Sequence, residues 1–159
     1  MRIRKHTLWR VPVYCMVSGW ISFYLTAYIG GFFFTNKTII DGTTHLSVDP
    51  IRSLIFHGVL FAAILLLGGL FFFRNMTKQE LALSAAIASA LYLIITLGQI
   101  FVPELLRPIT MSLAKIQNWD AFVSSLLMQV TSKVNLSALL SNLTPFLFVL
   151  FGKKKAHAS

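Results

Sequence analysis

SLIFHGVLFAAILLLGGLFFF (residues 53–73) and LALSAAIASALYLIITLGQIFV (residues 81–102) are two apolar runs joined by the short polar turn RNMTKQE. Neither run contains Asp, Glu, Lys or Arg. At ~1.5 Å of rise per helical residue each extends about 30 Å, the thickness of a bilayer's hydrocarbon core. Each reads as a membrane-crossing helix, and the short turn makes the pair antiparallel. The first run holds 14 Leu, Ile, Val and Phe residues. At about −0.3 to −0.6 kcal/mol each, they favour insertion by several kcal/mol. The turn ends in Thr77-Lys78-Gln79-Glu80, a T-x-x-E capping box that starts the second helix.

The rest of the composition agrees with this pair. The chain has 159 residues, 56% of them hydrophobic and 12% charged, with a mean hydropathy of +0.74. That leaves too little polar surface to cover a water-soluble globule, so the whole length reads as one membrane domain. The net charge of +9 comes from 14 Lys and Arg against 5 Asp and Glu. These cations sit at the ends of apolar runs, where membrane orientation accounts for them, and nucleic acid is not expected as a partner. The single cysteine, Cys15, rules out an internal disulfide, a CxxC pair and a cysteine zinc site. It reads as a buried apolar filler.

Working outward, residues 11–34 form a further apolar run behind a basic start containing Arg2, Arg4, Lys5 and Arg10. At 24 residues it is too long for a signal-peptide core, and no A-x-A site ends it, so it reads as an uncleaved first span. Gly30 and Gly31, with Ser18, Gly19 and Ala27, give it small-residue patches for close helix contact. Asp41-Gly42, between Thr38–Ile40 and Thr43–Val48, predicts a small β-hairpin. Asp49-Pro50 reads as N-cap and N1 of the next helix. In the run at 81–102, Ala82, Ala86 and Ala90 recur every four residues, a row that lets another backbone approach.

After Pro103 the pattern becomes amphipathic. Residues 104–134 carry two apolar faces, Leu105, Leu106, Ile109, Leu113 and Ile116, then Phe122, Val123, Leu126, Leu127, Val130 and Val134, with Trp119 and an N-capping Asp120 between them. Neither half is apolar enough to span, so two short helices lying at the interface or over the bundle's end are expected.

The last run, residues 136–152, is short and contains Asn142 and Pro145, which predict a local break. Charge decides whether it crosses. With four spans, the side of both termini holds nine cations (Arg2, Arg4, Lys5, Arg10, Arg74, Lys78, Lys153, Lys154, Lys155) against five (Lys37, Arg52, Arg107, Lys115, Lys133). Three spans would move the terminal lysines and give six against eight. The positive-inside rule selects four. The expected fold is an all-α integral membrane bundle of four spans in the plasma membrane, both termini cytoplasmic, with residues 104–134 an extracytoplasmic amphipathic segment between spans three and four.

Three polar residues inside membrane runs stand out as candidates: His57, Gln99 and Asn142. His57 reads either as a proton-relay or ligand residue or as a neutral imidazole bonded to a backbone carbonyl near the helix end. Gln99 and Asn142 read either as lining of a polar path or as amides bonding across helix pairs. His45, Asp41 and Asp49 share the side of His57, but their spacing matches no metal motif, and no metal or cofactor is expected. Glu104 and Arg107 read as a solvated surface pair. No nucleophile–base pair, phosphate loop or carboxylate dyad is present, which points away from an enzyme. Two readings of function follow. One is a non-catalytic accessory or self-associating bundle that works through its helix faces, in contact with lipid and with a membrane partner or its own copies. The other is a small transporter or permeation protein with a polar path near His57, Gln99 and Asn142.

Overall fold

The computed structural model describes residues 7–40 and 43–153. Four helices in it are long and apolar enough to cross a membrane: α1 (Arg10–Phe34), α2 (Pro50–Phe72), α3 (Lys78–Phe101) and a fourth span over Val134–Phe151. Each starts and ends within three residues of the run expected for it. Between their ends the outward faces are largely apolar, with Phe32, Phe71 and Phe101 among many large exposed residues, while Arg52, Lys78, Gln79 and Asn135 are exposed close to helix ends.

Local chemistry sets the helix starts. The Asp49 carboxylate accepts from the backbone N–H groups of Ile51 and Arg52, both at 3.0 Å, and Pro50 needs no N–H at the first position. Thr77 and Glu80 cap reciprocally: the Glu80 N–H donates to Thr77 Oγ1 at 3.3 Å and the Thr77 N–H to Glu80 Oε2 at 3.0 Å. Between α1 and α2, β1 (Thr35–Ile40) and β2 (Thr43–Val48) form the expected antiparallel hairpin, from Thr35 opposite Val48 to Ile40 opposite Thr43. The Asp41-Gly42 turn lies outside the described residues. At the opposite end, the Lys78 N–H donates to the Lys153 carbonyl at 3.3 Å, and the Val11 N–H to Ser84 Oγ at 3.2 Å. Arg10, Arg74, Lys78 and Lys153 therefore gather at one end of the bundle, as four crossings dictate.

The fourth span is not one helix. An α-helix, Val134–Ser141, stops at Asn142, and a 3-10 stretch, Thr144–Phe151, follows with Pro145 near its start. The break falls where Asn142 and Pro145 predict it. The 3-10 stretch rises about 2.0 Å per residue, so this short run still reaches about 30 Å.

Residues 104–134 depart from expectation. They do not lie over the bundle's end; they fold into it. After a helical turn at Pro103–Leu106, α4 (Thr110–Gln117) descends, Asn118–Asp120 turns, and α5 (Ala121–Thr131) returns. The turn reaches the middle of the spans. Trp119 is 1% exposed and stacked between Phe61 of α2 and Phe148, both ring centroids 5.9 Å away. Close approach is possible because Gly19 of α1 has no side chain: a Cβ there would lie 2.0 Å from the Ile116 carbonyl oxygen. Gly58 of α2 likewise admits the Phe122 ring, 3.0 Å from where its Cβ would be. At 11 residues, α5 is about 16 Å long, half the hydrocarbon thickness. Ser132, at φ 54°, then reverses the chain into α6, the helix Val134–Ser141.

This insertion corrects the placement of Lys115, which is not a loop cation. Its ammonium sits at the level of mid-α1, 5.6, 5.2 and 5.4 Å from the ring centroids of Trp20, Phe23 and Tyr24. Cation–π attraction to three rings offsets part of its desolvation.

Candidate functional site

The inserted turn brings polar groups to the middle of the four helices, where other protein groups must satisfy those that are buried. The sequence places three there in a row, Gln117, Asn118 and Asp120, around the anchoring Trp119. Asn118 is tied to α1: its Nδ2–H donates to Ser22 Oγ at 3.1 Å, and the Ser22 hydroxyl donates to the Asn118 carbonyl at 3.2 Å. Gln117 is tied to α3, its Nε2–H donating to Thr96 Oγ1 at 3.1 Å. The same hydroxyl accepts from Asn142 Nδ2–H at 3.1 Å, at the break in the fourth span. The Tyr92 hydroxyl donates to the Ile116 carbonyl at 3.5 Å. Thr96 thus joins the inserted turn, α3 and the broken span through one oxygen.

Asp120 completes the set. It does not cap α5, as its position in the sequence suggests; no backbone N–H at that helix start donates to its side chain. The residue is 7% exposed, and among the described residues no Lys, Arg or His lies within ion-pair distance of it. Burial raises its carboxyl above the ordinary carboxylate range, against a smaller opposing effect from the nearby Ser141 hydroxyl of α6, whose proton goes to the Ala138 carbonyl at 3.0 Å. A cavity of about 220 Å³ opens beside it, lined by Thr96, Gln99, Gln117, Asp120, Ser124 and Asn142 among others. That volume holds several waters.

Of the three polar residues read from the sequence, Gln99 and Asn142 meet at this cavity. His57 does not. It lies nearer the β-hairpin end, in a separate groove with Ser53, Ser125 and Gln129, and its Nδ1–H donates to the Ser53 carbonyl of its own helix at 2.7 Å. Among the small residues, Gly30 is buried, its missing Cβ leaving room for the Phe34 ring, whereas Gly31 faces open space. Ala82 and Ala86 are half-buried and Ala90 is exposed; the close-packed face of α3 is Ser84, Ala85, Ala88 and Ser89, one position over. Cys15 is fully buried. Glu104 and Arg107 pair at 3.6 Å on the surface. No group of three or more His, Cys, Asp or Glu that could hold a metal occurs among the described residues, and Asp41 lies outside them.

Sequence reasoning missed Asp120 and Gln117. The available signal was the polar run Gln117-Asn118 beside Trp119-Asp120 midway between two amphipathic faces. A turn of that kind suits water equally well, so it identified no depth. No family model, curated protein or solved structure matches the chain.

Proposed function

We propose that the protein is a small, non-catalytic permeation protein that passes a small polar solute across the plasma membrane, with both termini in the cytoplasm. The observation that carries this reading is the cavity beside Asp120. An ionised Asp at bilayer depth costs about 2.5–3.5 kcal/mol on insertion scales, and such residues commonly mark solute or ion pathways. Irregular backbone at that depth is tolerated where it lines a cavity, and both the inserted turn and the break at Asn142 border this one. Gln99 and Asn142 then belong to a polar path, and His57 stands outside it. The excess of cations at the end of the termini supports the orientation.

The test is flux in proteoliposomes containing the purified chain, with Na+, K+, urea and glycerol as probes. One of them should cross faster than in protein-free liposomes, and Asn142→Leu should abolish that flux. Rates equal to the protein-free control for all four would overturn the reading.

A second reading, the self-associating or accessory bundle, is favoured by one observation: Ala82, Ala86 and Ala90 lie along the outer side of α3, where another helix could approach. In mild detergent, Ala86→Leu should then disperse a complex. Unchanged assembly would remove that face from consideration.

A further inference from the structure

The cavity's lining selects among polar solutes. Its polar side chains are rich in oxygen: the Asp120 carboxyl, the side-chain carbonyls of Gln99 and Gln117, and the hydroxyls of Ser124 and Ser141, while the Asn142 carbonyl already accepts from the Thr96 hydroxyl at 3.4 Å. The Gln117 amide N–H is committed to Thr96, so its carbonyl is the end left for a ligand. No Lys, Arg or His lines the space, so an anion would find no counter-charge there. No aromatic ring lines it either, which disfavours a bulky organic cation. Oxygen ligands suit hard cations, and one carboxylate balances one positive charge; a divalent ion would keep an uncompensated charge in a low-dielectric interior.

Asp120 can carry that balancing charge only while the cation is bound. Its surroundings supply no other. The titratable groups facing it are the Cys15 thiol of α1 and the Tyr92 hydroxyl of α3, neither charged at neutral pH. Those of α2 are Arg52 and His57, both far up that helix, and α5 and α6 contain none. Lys115 of α4 is held by the aromatic rings of α1.

We infer that this cavity binds a small monovalent inorganic cation in exchange for the proton of Asp120. The empty cavity holds the neutral acid. The entering cation loses part of its hydration to the amide and hydroxyl oxygens. The carboxyl then releases its proton to cavity water, and carboxylate and cation remain as a neutral pair. Binding rests on the cavity alone; its consequence, cation–proton exchange across the membrane, rests on the permeation reading.

The experiment is carbodiimide labelling of the full chain in mild detergent. Dicyclohexylcarbodiimide attacks protonated carboxyls in apolar surroundings, and peptide mass analysis locates the adduct. Asp120 should be modified at pH 6. Raising NaCl or KCl at the expense of N-methylglucamine chloride should slow modification about tenfold when the cation exceeds its Kd about tenfold. Asp120→Glu should keep both properties, which separates chemistry from misfolding. No adduct at Asp120, or an adduct that neither salt slows, overturns the inference. Protection without flux leaves the ion site standing and overturns permeation. Flux of urea or glycerol without protection does the reverse.

Discussion

His57 and Asp120 are both ionisable residues carried into the bundle, and they are satisfied in opposite ways. His57 belongs to a continuous helix near its end, and the Ser53 carbonyl four residues earlier takes its N–H at 2.7 Å. Asp120 belongs to a turn between two half-length helices, and its carboxyl lies at a cavity lined by residues of other segments. The first residue has its Nδ1 bonded within its own helix. The second depends on segments far apart in sequence meeting at one cavity. An ionisable group inside a membrane bundle is therefore informative when tertiary structure, rather than its own helix, supplies its partners.

The contrast can be broken most forcefully by unseating the turn. Trp119→Ala removes the ring between Phe61 and Phe148 and should destabilise the fold by about 3–5 kcal/mol, read from denaturant unfolding in micelles. His57→Phe in the same assay should change stability by less than ~1 kcal/mol, since one local hydrogen bond is lost. Equal losses would erase the distinction. Asn142→Leu deprives Thr96 and the broken span of a buried hydrogen bond and should cost about 1–3 kcal/mol.

A pH titration sharpens the contrast further. Burial raises the Asp120 carboxyl, so the folded state holds its proton more tightly than the unfolded chain does. Stability from this group is full below the ordinary aspartate value of about 4, and declines as pH rises through the raised value. Asp120→Asn should flatten that decline. A wild-type curve with no such fall would mean that the carboxyl is not stabilised as the acid. A modest effect is expected at Lys115→Met, which keeps the apolar stem and loses the cation–π contacts, worth ~0.5–2 kcal/mol in the unfolding assay.

Much of the architecture is legible along the chain because the signals are local. A run without charge long enough to cross, an Asp before a Pro, a T-x-x-E box, and an Asn near a Pro each act within a few residues, and the four spans, both caps and the break follow them. Half of the site is legible for the same reason: Gln99 and Asn142 stand out as amides in apolar runs.

The depth of residues 104–134 is different in kind. An amphipathic helix has an apolar face that lipid at the interface or a groove in a bundle can cover equally well, so its periodicity cannot choose between them. The choice rests on contacts between residues far apart in sequence: Gly19 beneath the Ile116 carbonyl, Gly58 beneath Phe122, and Trp119 between two phenylalanines from different spans. Composition and local patterning determined that this chain has four helices long and apolar enough to cross a membrane, and where those helices begin and break. Only tertiary packing decided that the polar turn at 118–120 enters the bundle, because close backbone approach at two glycines admits it and the Ser22 hydroxyl of α1 bonds Asn118 there, although the Trp119 Nε1–H is left without a hydrogen-bond partner among the described residues.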